Sequence, residues 1–161
     1  MTATGSASRA ATGTQWNVDR QGVTAGGQTW QSDTQGSGQR TTNGYAWSST
    51  TVGSNDAGHT WTTDRDGQRV TNADGTVTIL RDATKTLDNG KTVSSASTTT
   101  VTRTDDGREW TTEGSRVGPR GTGTMSAAGS GSRTATGAVW RVDRDGTTAG
   151  GNDWNSHTDG S

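Results

Sequence analysis

The chain contains no cysteine, no phenylalanine and one proline in 161 residues. Without cysteine it can form neither disulfides nor thiolate metal sites. Large aliphatic side chains are scarce too: one Ile, two Leu and two Met, with Val supplying the rest. Ile, Leu, Val and Phe together fall well below about 20 %, a level under which highly charged chains stay disordered. The formal net charge here is only -1, however, and seven Trp recur at regular positions. Disordered chains are poor in aromatics and β-branched residues, so ordered β structure is the expectation. No run of helix-forming residues carries an apolar stripe, which excludes helix as a main element. The amino-terminal MTATGSASRAATG has neither the basic nor the apolar region of a signal peptide. No apolar run is long enough to span a membrane. Basic residues are almost all Arg, acids almost all Asp, and no basic run exists. The linear sequence therefore gives no electrostatic footprint for nucleic acid, and no nucleic-acid partner is expected.

What is present is a repeat. A Gly-x-x-Trp phrase, followed by a polar stretch and often by Asp-x-x-Gly, reads GTQWNVDRQG from Gly13 and GQTWQSDTQG from Gly27. It returns from Gly44, Gly58, Gly137 and Gly151, with a shortened form from Gly107 and tryptophan-free forms from Gly75 and Gly90. Two phrases make a period of 31 residues: Gly13, Gly44 and Gly75 lie on that ladder, as do the pairs Trp16/Trp47 and Trp30/Trp61. Residues 5–37 match residues 129–161 at 21 of 33 positions. The organisation expected is a short tail, 1–4, and one array, 5–161, with approximate repeats 5–35, 36–66, 67–97, 98–128 and 129–161. The likeness of its ends reads as a window from a longer array. Such arrays draw stability from stacking neighbouring units.

Within the phrase, Trp16 and Val18 fall on one face and Asn17 and Asp19 on the other, a period of two. Thr and Val suit a pleated surface. Asn89-Gly90, Asp74-Gly75 and Asp106-Gly107 signal hairpins. The clusters Asp19–Gly22, Asp33–Gly36, Asp64–Gly67 and Asp143–Gly146 predict type I turns, giving up to four short strands per repeat. The expected fold is all-β, with 31-residue tandem repeats of short strands and Gly turns. Recurrence of like residues favours a β-solenoid-like stack; the Asn-Gly and Asp-Gly signals favour the alternative, an antiparallel hairpin meander.

The segment Trp16-x-Val18-Asp19-x-x-Gly22, with its relatives at Trp61 and Trp140, resembles the YD-type hairpin repeat of bacterial secreted and cell-surface shells. Trp replaces the first Tyr and the spacing is shorter. The Thr-rich middle with Gly118-Pro119-Arg120-Gly121 resembles Thr/Gly-rich secreted fibre proteins and functional amyloids. The resemblance implies an extracellular hairpin array without catalytic residues.

Candidate chemistry is sparse. His59 and His157 occupy variable repeat positions, and Ser156-His157 with Asp153 lacks the rigid pocket a nucleophilic triad needs. No enzyme activity, catalytic residue or cofactor is expected. Asp64-x-Asp66 and Asp143-x-Asp145 carry half of a calcium-loop pattern without the distal carboxylate, so no metal site is expected. The Thr98–Thr104 alternation, confined to one repeat, reads as β propensity rather than an ice-binding rank. The tryptophans Trp16, Trp30, Trp47, Trp61, Trp110, Trp140 and Trp154 read as a structural ladder, or alternatively as a glycan-stacking surface. The functional expectation is a structural, self-associating extracellular or cell-surface element, forming head-to-tail homopolymers and secreted by a signal outside this chain. The alternative is an extracellular carbohydrate-binding repeat with a polysaccharide partner.

Overall fold

The computed structural model describes all residues, Met1–Ser161. It contains eleven strands and no helix: β1 (Thr2–Ala10), β2 (Gly13–Val23), β3 (Thr29–Thr41), β4 (Gly44–Asn55), β5 (Thr60–Thr71), β6 (Val77–Leu87), β7 (Thr92–Arg103), β8 (Gly107–Gly118), β9 (Gly121–Arg133), β10 (Ala138–Thr147) and β11 (Asp153–Gly160). Hydrogen-bonded neighbours follow chain order from β1 to β11. The fold is an antiparallel hairpin meander. The solenoid expectation gives way for a physical reason: each strand finds its partner across a short turn, so like residues recur every second strand rather than rung on rung.

The turn expectation is also corrected. Asp19 and Gly22 lie inside β2, Asp33 and Gly36 inside β3, Asp64 and Gly67 inside β5, and Asp143 and Gly146 inside β10. Each 31-residue period therefore holds two long strands instead of four short ones. The reversals fall elsewhere. Gly27, Gly58, Gly75, Gly90 and Gly151 take φ between 75° and 83° in the turns, with Gly121 at 117°. In the first of these turns the Thr24 and Gly27 N–H groups donate to Gln28 and Thr24 carbonyls. Asn89-Gly90 forms the turn between β6 and β7, where the Leu87 N–H donates to the Lys91 carbonyl.

The chain divides into two compact units, Met1–Gln68 with Asp82–Ser94, and Arg69–Arg81 with Ser95–Ser161. In the first, β2 and β3 pair from Gly13↔Gln39 to Val23↔Thr29, and β3 and β4 from Trp30↔Asn55 to Thr41↔Gly44. In the second, β8, β9, β10 and β11 pair in succession, with Trp110↔Gly129, Val142↔Gly129 and Val142↔Thr158. Val142 is the one buried hydrophobic residue. The accessible surface is 10841 Å², against about 7,600 Å² for a globular monomer of this mass. Stability here does not come from a closed core.

Loop ends are tied by carboxylates. Asp56 accepts from the Thr29 N–H at 2.8 Å and from its hydroxyl at 3.0 Å, while the Asp56 N–H donates to the Thr29 carbonyl. These bonds, the backbone one first, hold the Asp56 carboxyl below its ordinary value of 3.8. A lowered pKa stabilises the fold above the unfolded value and is lost as pH falls through the folded value. Denaturant midpoints should therefore drop on acidification below about pH 4, and Asp56→Asn should shrink that acid limb. An unchanged limb in the variant would show that the Asp56 tie does not contribute.

Candidate functional site

The seven tryptophans share one relationship. Each indole lies over a glycine of the adjacent strand: Trp16 over Gly36, Trp30 over Gly22, Trp47 over Gly67, Trp61 over Gly53, Trp110 over Gly129, Trp140 over Gly160 and Trp154 over Gly146. Register places the members directly opposite in Trp16↔Gly36, Gly22↔Trp30, Trp110↔Gly129, Trp140↔Gly160 and Gly146↔Trp154. A Cβ at these glycines would run into the indole, so the missing side chain is what lets the ring lie flat across the neighbouring backbone. This is the role of the glycines of the Asp-x-x-Gly clusters. The hairpins β2–β3 and β10–β11 each carry two such pairs in reciprocal orientation. Trp and Gly six residues apart, as Trp16 and Gly22, share a face of the strand.

Between the indoles runs a polar row. Thr34 sits opposite Val18 on one side and Thr51 on the other. The Thr34 and Thr51 hydroxyls are 2.9 Å apart, and Thr34, Thr51 and Thr63 are 7–9 % exposed. Thr hydroxyls satisfied by one another can be buried without penalty. Tyr45 stacks on Trp47 with centroids 6.2 Å apart, and Lys85 Nζ lies 5.1 Å from the Trp61 ring centroid. Six indoles are half-buried; Trp140 is 43 % exposed. In the third repeat, Thr78 and Thr92 stand where Trp would fall. Both lie on the face opposite the indoles, where Asn72 Nδ2 donates to Thr76 and Thr78 hydroxyls and Thr84 bonds Ser94.

The strand period also sorts charge. In β1–β5 the indole face carries Arg9, Arg20, Arg40, Arg65 and Arg69 and no acid; Asp19, Asp33, Asp64 and Asp66 all lie on the opposite face, which carries no base. In β8–β11 the indole face carries Arg108, Arg116, Arg133 and Arg144 and again no acid. The other face holds Glu109, Glu113, Asp143, Asp145, Asp153 and Asp159, with Arg141 and His157 its only bases. On the indole face Arg65 and Arg144 bond Thr hydroxyls, of Thr51 and Thr158. The acidic face of the first unit forms a shallow open groove of about 980 Å³ whose lining includes Gln15, Asn17, Gln35, Thr50, Asp64 and Asp66.

The histidines lie on this polar chemistry. His157 Nδ1 is 2.6 Å from Asp143 and its Nε2 3.3 Å from Asp159, and Arg141 completes the cluster at 2.9 Å from Asp143. Hydrogen bonds from His157 first, then Arg141, hold the Asp143 carboxyl below its ordinary value. His59 Nδ1 is 2.7 Å from Asp88, which lowers the Asp88 carboxyl likewise. Ser156 faces Arg144 across the hairpin and its side chain points away from the His157 face, so these residues form no nucleophile–base pair. Asp145 bonds the Ser126 hydroxyl and Asp64 the Thr50 hydroxyl, both at 2.8 Å.

One cross-strand pair is discordant. Asp19 is directly opposite Asp33. The corresponding positions 31 residues on hold Thr50 and Asp64, hydrogen-bonded, and those 124 residues on hold Asp143 and His157, ion-paired. Like charges directly opposite on a sheet are destabilising. Asp19→Thr, which copies the Thr50/Asp64 pair, should raise stability by roughly 0.5 kcal/mol; a loss in denaturant midpoint would refute this.

The sequence signal for the two faces is parity. Trp16 and Arg20, Trp61 and Arg65, and Trp140 and Arg144 are four apart, whereas Asp follows Trp at three. The chain matches no family model, no curated protein and no solved structure.

Proposed function

We propose that the chain is a structural, self-associating repeat element of a cell surface or extracellular matrix: a fibre, filament or adhesin stalk. The observation that carries this reading is the pairing of all seven indoles with glycines of adjacent strands. Aromatic mass used to fasten strand to strand is scaffold rather than ligand site. Each half-buried indole removes on the order of 100 Å² from water, and at about 25 cal/mol per Å² that is roughly 2–3 kcal/mol. Self-association is supported by β1 and β11, which each have one hydrogen-bonded neighbour; an unpaired strand edge is a template for another chain. Sedimentation and electron microscopy at micromolar concentration should show end-to-end polymers. A strictly monomeric species would refute the filament.

The second reading, a carbohydrate-binding repeat, is favoured by the outward exposure of Trp140. Trp140→Ala would then abolish retention on insoluble glycans with stability nearly intact. Under the structural reading the same substitution lowers stability and there is no retention to lose.

A further inference from the structure

We propose that the arginine-bearing indole face of one copy docks on the acidic face of a second copy of this chain. The inference rests on the self-association reading and specifies a surface distinct from the strand edges.

Fifteen Lys and Arg face sixteen Asp and Glu in this sequence. A chain so balanced would ordinarily pair many of them. Yet the sole Arg–carboxylate ion pair is Arg141–Asp143, the remaining pairs being those of His59 and His157. The cause is geometric. Alternation along each strand sends Arg and Asp to opposite sides of the backbone, where they cannot meet within one molecule. In β1–β5 the sorting is complete, five Arg on one face and four Asp on the other. The partners that these guanidinium groups lack are displayed by the opposite face of an identical chain.

Shape and area agree. The acidic face of the first unit is grooved rather than flat, and Asp64 and Asp66 lie in that groove. Long guanidinium side chains can enter it and meet carboxylates. The exposed area exceeds that of a globular monomer of this mass by about 3,000 Å², and stable interfaces bury roughly 1,200–2,000 Å² in total. A free polyanion is the less suited occupant. The net charge is -1, so the acidic face offsets the field of the cationic one, and little attraction survives beyond a Debye length of about 8 Å. A second copy engages both faces. Because the two faces differ, the contact is heterologous and leaves a free face of each kind, so stacking continues without closing.

The test is the weight-average mass by sedimentation at low ionic strength and in ~1 M salt, where the Debye length is about 3 Å. Two double variants accompany the native chain: Arg20→Glu with Arg40→Glu, and Asp64→Lys with Asp66→Lys. All four residues are exposed, and the far-UV strand spectrum verifies folding. The native chain should form stacks that dissolve in salt. Each double variant alone should lose most of its stacking, because the reversed pair removes most of the charge contrast between its two faces. An equimolar mixture should regain it. Assemblies indifferent to both salt and charge reversal would overturn face stacking while leaving edge-mediated polymers standing. A native chain that is monomeric at every salt concentration would overturn both. A monomer that binds dextran sulfate through Arg20 and Arg40 would overturn the inference in favour of a polyanionic occupant. The native salt series decides even if a variant misfolds.

Discussion

Gly36→Ala should destabilise the protein about as much as Trp16→Ala, by roughly 2–3 kcal/mol each for a half-buried indole, and the double variant should cost no more than either. The reasoning is that the two residues form one object. The Gly36 Cα lies beneath the Trp16 ring, and an added Cβ would overlap indole Cε2 and Cζ2. Relief demands that the ring lift off the neighbouring backbone, which forfeits the burial that Trp16→Ala removes outright. Once the ring is gone, the atoms nearest to a Cβ at position 36 are gone with it, and in a strand Ala is better than Gly by roughly 0.5–1 kcal/mol. The double-mutant cycle should therefore give a coupling energy of about 2–3 kcal/mol, at the upper end of the range for residues in contact. Gly137→Ala is the control, because nothing lies within 4 Å of a Cβ there. It should shift stability by no more than about 0.5 kcal/mol. Additive losses at Trp16 and Gly36 would mean that the indole is not held by that glycine.

This pairing explains which parts of the fold could be read from the sequence. Period-two alternation around Trp16, Val18 and Asp19 is local, so strand identity and the absence of helix were legible. Gly90 was legible as a turn because Asn-Gly is a signal of backbone conformation. The glycines of the Asp-x-x-Gly clusters were not, because a turn glycine and a ring-covered glycine look alike in one dimension. Gly22 is needed by Trp30, eight residues later, and Gly36 by Trp16, twenty residues earlier. Neither requirement exists until the hairpin has closed. The meander follows from the same point: Trp and Gly recur because they meet across a hairpin, not because Trp stacks on Trp. The two charged faces were hidden differently. Along the chain Arg and Asp are interleaved, as in Asp19-Arg20 and Asp64-Arg65, and look neutral. Only folding into strands, with side chains alternating about the backbone, separates them. The third repeat supplies an internal comparison. Thr78 and Thr92 take the sequence positions of Trp but lie on the face opposite the indoles, where the Asn72 amide bonds Thr76 and Thr78 and Thr84 bonds Ser94.

Excising residues 34–64, one whole period, should leave a folded protein, whereas excising residues 34–63 should not. The first deletion joins Asp33 to Arg65, so that Trp30-Gln31-Ser32-Asp33 runs on into Arg65-Asp66-Gly67. Gly67 then stands where Gly36 stood, thirty-one residues earlier, opposite Trp16. Gly22 keeps Trp30. Every later strand retains its parity and its neighbour, and in a quasi-one-dimensional array the cost is one repeat's share of nearest-neighbour contacts. The second deletion differs by a single residue, yet it inverts the strand beyond the join. A one-residue slip in a sheet moves each side chain to the other face. Asp64 and Asp66 would enter the arginine-bearing indole face, Arg65 would enter the acidic face, and Trp16 would meet a side chain in place of Gly67. Strand content by far-UV dichroism, tryptophan emission and a denaturant midpoint should therefore remain close to those of the full chain after removal of residues 34–64. After removal of residues 34–63, emission should shift to the red and cooperativity should fall. Equal tolerance of both deletions would show that face identity, and with it the indole–glycine pairing and the segregation of charge, does not govern this fold.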